Sequence, residues 1–103
     1  MQGQVVIVTG GAKGYGAGIA EVLKAQGAHV WITGRDEAAL QQAARRMGVR
    51  ALRADVTVPA DWDRLFAEVT TTHGRVDVLV NNAGGGVKIA PMAEQTDASI
   101  AEI

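Results

Sequence analysis

The sequence of 103 residues contains no cysteine, and its only imidazoles are His29 and His73. A disulfide framework and a thiolate metal centre are therefore excluded, and no structural metal is expected. Net charge is −1, and no basic cluster is longer than Arg45-Arg46. A surface that tracks a nucleic-acid backbone is not expected from such a balance. No apolar run approaches membrane-spanning length, and no basic leader with a small-residue cleavage site precedes the first apolar run. The expected compartment is the cytoplasm, with neither a membrane nor nucleic acid as partner. Tyrosine and serine occur once each, at Tyr15 and Ser99. What the chain does have is 48% hydrophobic residues, 20% charged residues and 13 glycines, the composition of a soluble globular protein at the length of one small domain.

Several of those glycines are gathered where an apolar run ends. Val5-Val6-Ile7-Val8 has the β-branched content of a strand buried on both faces, and Thr9-Gly10-Gly11-Ala12-Lys13-Gly14-Tyr15-Gly16 follows directly. Ile19, Val22 and Leu23 then recur at helical spacing. Strand, tight turn and helix in that order form a dinucleotide pyrophosphate site, because glycine lets the backbone approach phosphates and the helix N-terminus aims free N–H groups at the anion. The spacing is Gly-x-x-x-Gly-x-Gly. Walker A is excluded, because Gly16 is followed by Ala17 and Gly18 rather than by Lys and Ser or Thr.

Downstream, Gly27 stops the first helix and His29 to Thr33 reads as a second buried strand. Asp36 is positioned to cap a second helix on which Leu40, Ala43, Ala44 and Met47 form an apolar stripe. A short third strand spans about Val49 to Ala54. Pro59 opens a third helix carrying Trp62, Leu65, Phe66 and Val69, and Gly74 ends it. A fourth strand runs from Val76 to Val80 into Asn81-Asn82-Ala83-Gly84-Gly85-Gly86. The tail beyond is read as looser, with Pro91 near its middle and Thr96 able to cap a last helix. Four strands alternating with helices predict a parallel sheet covered on both faces, in order 3-2-1-4, with the first two helices on one face and the third on the other. Strand four is expected to be an unpaired edge and a route to self-association. Ligand should bind at the carboxyl ends of strands one and four, where both glycine clusters emerge.

The glycine turn, Asp55-Val56 after strand three and Asn81-Asn82-Ala83-Gly84 after strand four together resemble the short-chain dehydrogenases/reductases. The resemblance extends over Gln2 to Ile103, well under half of the usual family length. It implies a Rossmann fold, a dinucleotide cofactor, a small-molecule alcohol or carbonyl substrate, and a homo-oligomeric full-length form. It further implies cofactor contacts at Gly10, Lys13, Gly14, Tyr15 through its backbone, Gly16, Arg35, Asp55, Val56, Asn82, Ala83 and Gly84. For Asp55 the alternative is a carboxylate that bonds its own turn, and Asn81 is equally readable as a structural amide.

Charge at the end of strand two indicates which cofactor is expected. An acidic residue there would accept from the ribose hydroxyls and repel a 2′-phosphate. Gly34-Arg35 stands in that place, and a guanidinium makes paired charge-assisted hydrogen bonds to phosphate. Lys13 is placed to reach the same phosphate from the glycine turn. Basic residues at both positions mark NADP(H) by resemblance, with NAD the lesser expectation and solvated surface charge the alternative.

The family's chemistry needs a Tyr with a Lys four residues later, a Ser and a helical Asn. Tyr15 belongs to the glycine turn and is followed four residues on by Ile19, and Ser99 has no tyrosine or lysine after it. No catalytic residue is assigned. The expectation is an NAD(P)-binding domain over residues 1–103, the first portion of an NADP(H)-dependent oxidoreductase that lacks its catalytic half and is inactive alone. The alternative is a non-catalytic nucleotide-binding or interaction module.

Overall fold

The computed structural model describes residues 3–12, 14–82 and 88–91. Strand β1 (Val5–Thr9) is buried along its whole length. Helix α1 (Gly14–Ala25), β2 (His29–Gly34), α2 (Glu37–Met47), β3 (Arg50–Arg53), α3 (Pro59–His73) and β4 (Val78–Asn81) follow, and β5 (Lys88–Pro91) is last. The sheet order is β3-β2-β1-β4-β5. The first four strands are parallel in the expected order, with Val5 opposite His29, Val6 opposite Val78 and Trp31 opposite Arg50.

Period-two alternation sends β1, β2 and β4 side chains to two separate cores. On one face Val6, Val8, Val30, Ile32 and Val80 meet Ala20 of α1 and Leu40, Ala43 and Ala44 of α2. On the other, Val5, Ile7, Trp31 and Leu79 meet Leu65 and Val69 of α3. The helices are thus distributed as expected, two on one face and one on the other. Leu65 is fully buried. Burying a side chain of that size stabilises the fold by about 1.5–3 kcal/mol.

Local chemistry sets the ends of α2. Asp36 adopts extended backbone angles and its Oδ1 accepts from the Ala39 N–H at 3.1 Å, while the Gly48 N–H donates to the Ala44 carbonyl. β4 begins later than the apolar run suggests. Asp77 occupies the approach instead: its Oδ2 accepts from the Val5 N–H at 2.7 Å and its own N–H donates to the Val5 carbonyl at 2.9 Å.

The fifth strand overturns one expectation. β4 is not an edge, because β5 pairs antiparallel to it with Leu79 opposite Ala90 and Val80 opposite Ile89. Pro91 closes β5, the outermost strand among the described residues, where its missing N–H is tolerated. The proposed last helix and Ser99 lie outside the described residues. Among the described residues no helix is long and apolar enough to cross a membrane.

Candidate functional site at the carboxyl edge of the sheet

β1 and β4 are adjacent, and chain direction reverses its lateral progress between them, so their carboxyl ends open the crevice where α/β sheets bind ligands. The turn from β1 to α1 is held from below. The Gly10 and Gly11 N–H groups both donate to the Thr33 carbonyl, at 2.8 and 3.3 Å. Gly10 and Gly14 have φ of 65° and 58°, a region that side chains disfavour. Space in front of Gly14 is open, since a Cβ built there meets nothing within 4 Å. At Gly16 the reason for glycine is internal: a Cβ would collide with the Gly10 carbonyl and lie 2.7 Å from Asn82 Nδ2. The start of α1 therefore seats directly against the exits of β1 and β4. Gly11, which the sequence reading did not single out, is equally constrained by the Ile32 side chain.

The first N–H groups of α1 have no partner within the helix and face this opening together with the positive end of its dipole. Tyr15, at the start of α1, is 82% exposed. Beneath it, the Thr9 hydroxyl accepts from the Asn82 N–H at 2.9 Å and donates to Asn81 Oδ1 at 3.0 Å. Asn82 Nδ2 reaches the Gly10 carbonyl at 3.4 Å. Asn81 is thus a structural amide that ties β4 to β1, and Asn82 joins the fourth-strand exit to the glycine turn. Lys13, Ala83 and Gly84, expected at this crevice, lie outside the described residues.

The exit of β3 is built by α3. Asp61 Oδ2 accepts from the Asp55 N–H at 2.8 Å, and the Trp62 indole N–H donates to the Val56 carbonyl at 2.8 Å. Both residues were legible only as part of a helix, and their role in positioning Asp55 and Val56 emerges from the fold. Asp55 Oδ1 accepts from the Thr57 hydroxyl at 2.6 Å and the Thr57 N–H at 2.9 Å, so one oxygen does bond its own turn. Those Thr57 hydrogen bonds, helped by the weaker pull of the Arg35 and Arg53 guanidiniums, hold the Asp55 carboxyl below the usual carboxylate range against an opposing desolvation.

Arg35 is exposed immediately after β2, and Asp36 beside it is turned into the α2 cap. The structure brings Gly10, Gly14, Gly16, Arg35, Asp55, Val56 and Asn82 to one edge of one sheet. An edge of this kind can hold an extended anion: helix N–H groups toward its middle, carboxylate and backbone groups of the β3 exit toward one end, and a guanidinium beside them.

Comparison with known proteins agrees with this geometry. The family model described as short chain dehydrogenase matches residues 4–103. The 3-beta-hydroxysteroid dehydrogenase of Comamonas testosteroni is 44% identical over 82% of this chain and 34% of its own length. The NADP-dependent (R)-specific alcohol dehydrogenase of Lentilactobacillus kefiri is 36% identical over 93% of this chain and 39% of its own. A solved RhlG/NADP active-site complex from Pseudomonas aeruginosa superposes with a TM-score of 0.76 at 38% identity, covering 82% of this chain and 36% of that one. The chain spans about a third of the length of these relatives. With the glycine turn, the strand order and the family match in agreement over almost its whole length, the chain belongs to the short-chain dehydrogenase family, whose oxidoreductases bind NAD(P) on this Rossmann region.

Proposed function

We propose that this chain is the cofactor-binding portion of an NADP(H)-dependent oxidoreductase that moves hydride between the nicotinamide and an alcohol/carbonyl pair. The observation that carries the cofactor choice is Arg35 at the exit of β2 with Asp36 drawn into the helix cap. A guanidinium there has a charge-assisted partner in a 2′-phosphate and none of comparable strength in a ribose hydroxyl. The NADP-dependent relative and the NADP complex support the same choice. In this reading the Gly10–Gly16 turn and the start of α1 hold the pyrophosphate, Asp55 and Val56 take the adenine, Asn82, Ala83 and Gly84 flank the adenosine ribose, and Lys13 joins Arg35 at the phosphate. The bound nicotinamide supplies or accepts the hydride. Residues 1–103 bind cofactor without turnover, and the full-length protein contributes the proton-transfer groups, the substrate pocket and the oligomer contacts.

Titration with NADPH and NADH, followed by nicotinamide fluorescence, tests this. NADPH should bind more tightly, and Arg35→Ala should weaken NADPH by about ten- to a hundredfold, equivalent to about 1.5–3 kcal/mol, with little effect on NADH. Equal losses for both cofactors would refute the assignment.

A further inference from the structure

The corner that holds Arg35 contains a second guanidinium that the family motif does not include. β2 and β3 are parallel neighbours with Gly34 opposite Arg53. Just beyond that pair, Arg53 Nε donates to the Arg35 carbonyl at 3.0 Å. That hydrogen bond fixes the guanidinium plane while leaving both Nη groups unused by it. The strand end itself is clamped, because Arg64 Nη2 donates to the Arg53 carbonyl. Ion pairs among the described residues occupy Arg46, Arg64 and Arg75, and Arg53 enters none of them. Both guanidiniums act on Asp55, which places their charges at the same corner. Asp55 and Asp36 each engage one carboxylate oxygen locally, with Thr57 and with Ala39, and among the described residues neither lies within ion-pair distance of Arg53.

We propose that Arg53 is a second specificity-determining residue, donating through its Nη groups to the same 2′-phosphate that Arg35 recognises. The inference rests on the NADP(H) reading of Arg35. A phosphate monoester carries nearly two negative charges at neutral pH, and one cation neutralises only part of that. Arg53, already held on the Arg35 carbonyl, has less side-chain ordering to lose on binding a dianion than an untethered arginine would. A ribose hydroxyl gains nothing comparable, so the second cation widens the gap between the cofactors.

Binding of NADP+, NAD+, adenosine 2′,5′-bisphosphate and inorganic phosphate to the wild-type chain, Arg35→Ala, Arg53→Ala, Arg53→Lys and the double variant separates the possibilities. Arg53→Ala should weaken NADP+ and the bisphosphate by about tenfold and change NAD+ by less than about twofold. Arg53→Lys keeps the charge without the planar fork and should fall between wild type and Ala. Inorganic phosphate should bind weakly and change little, because the adenosine supplies the rest of the contact. A loss on Arg35→Ala with none on Arg53→Ala overturns the proposal and leaves the Arg35 reading intact. Equal loss of NADP+ and NAD+ on Arg53→Ala and on Arg53→Lys marks Arg53 as structural and also overturns it. No loss on Arg35→Ala removes the underlying reading, and this inference with it.

Discussion

Thr9 and Thr33 stand opposite each other in register on β1 and β2, both fully buried, and their hydroxyls have different fates. Thr9 Oγ1 joins Asn81 and Asn82, whereas Thr33 Oγ1 has no hydrogen-bond partner among the described residues. A buried hydroxyl left unpaired costs about 1–3 kcal/mol, and removing it with shape retained is close to neutral or stabilising.

The two threonines therefore predict opposite outcomes for the same substitution. Thr33→Val should leave stability unchanged or raise it by up to about 1 kcal/mol, while Thr9→Val should lower it by about 1–3 kcal/mol, because the Asn82 N–H loses its acceptor. Urea denaturation of both variants is the measurement. A loss for Thr33→Val as large as that for Thr9→Val would mean that the Thr33 hydroxyl has a partner after all.

Acid should loosen the opposite end of the sheet. The Trp31 indole N–H donates to His73 Nε2 at 2.9 Å, which requires a neutral imidazole. Burial, His29 at a centroid distance of 5.0 Å, and Arg50 all push the His73 pKa below its ordinary value. The unfolded chain then takes up this proton more readily than the folded one. The contribution of His73 is fully present above about pH 6.5 and is lost as pH falls through the lower folded value. Melting temperature measured between pH 8 and 5 should drop below about pH 6.5. His73→Gln, which can still accept from the indole, should flatten that decline.

Much of this was legible in advance because buried parallel strands announce themselves. Val5–Val8 and Val78–Val80 are continuous apolar runs, and Asp36 caps α2 as expected. β5 escaped notice because Lys88-Ile89-Ala90-Pro91 is short, ends in proline and gains its strand character only from the neighbour it pairs with. Arg53 was invisible for a related reason: its meaning depends on facing Gly34 across a strand register that no local pattern encodes. Asp61 and Trp62 fit an amphipathic helix so well that their bonds to the β3 exit left no separate trace.

Two glycines on α1 should respond differently to alanine. At Gly16 the added Cβ collides with the Gly10 carbonyl and crowds Asn82, so Gly16→Ala should weaken both nicotinamide cofactors and lower stability. Gly18 is exposed, with nothing within 4 Å of a built Cβ, and Gly18→Ala should stabilise α1 by about 0.5–1 kcal/mol without changing binding. Paired thermal melts and cofactor titrations distinguish them. A silent Gly16→Ala would show that the turn can shift away from the helix start.

Amide exchange tests the role of β5. β4 is flanked by β1 on one side and β5 on the other, and alternate N–H groups along a strand point to opposite neighbours. With Val78 to Asn81 paired antiparallel to Pro91 to Lys88, successive β4 amides are all protected. Leu79 and Val80 are buried as well, which removes water from both faces. Their exchange should therefore be as slow as that of Val6 to Val8, whereas β3, which among the described residues has β2 on one side only, should exchange faster at its outward amides. Fast exchange at every second residue of β4 would show that the strand is an open edge, and concentration-dependent sedimentation should then accompany it.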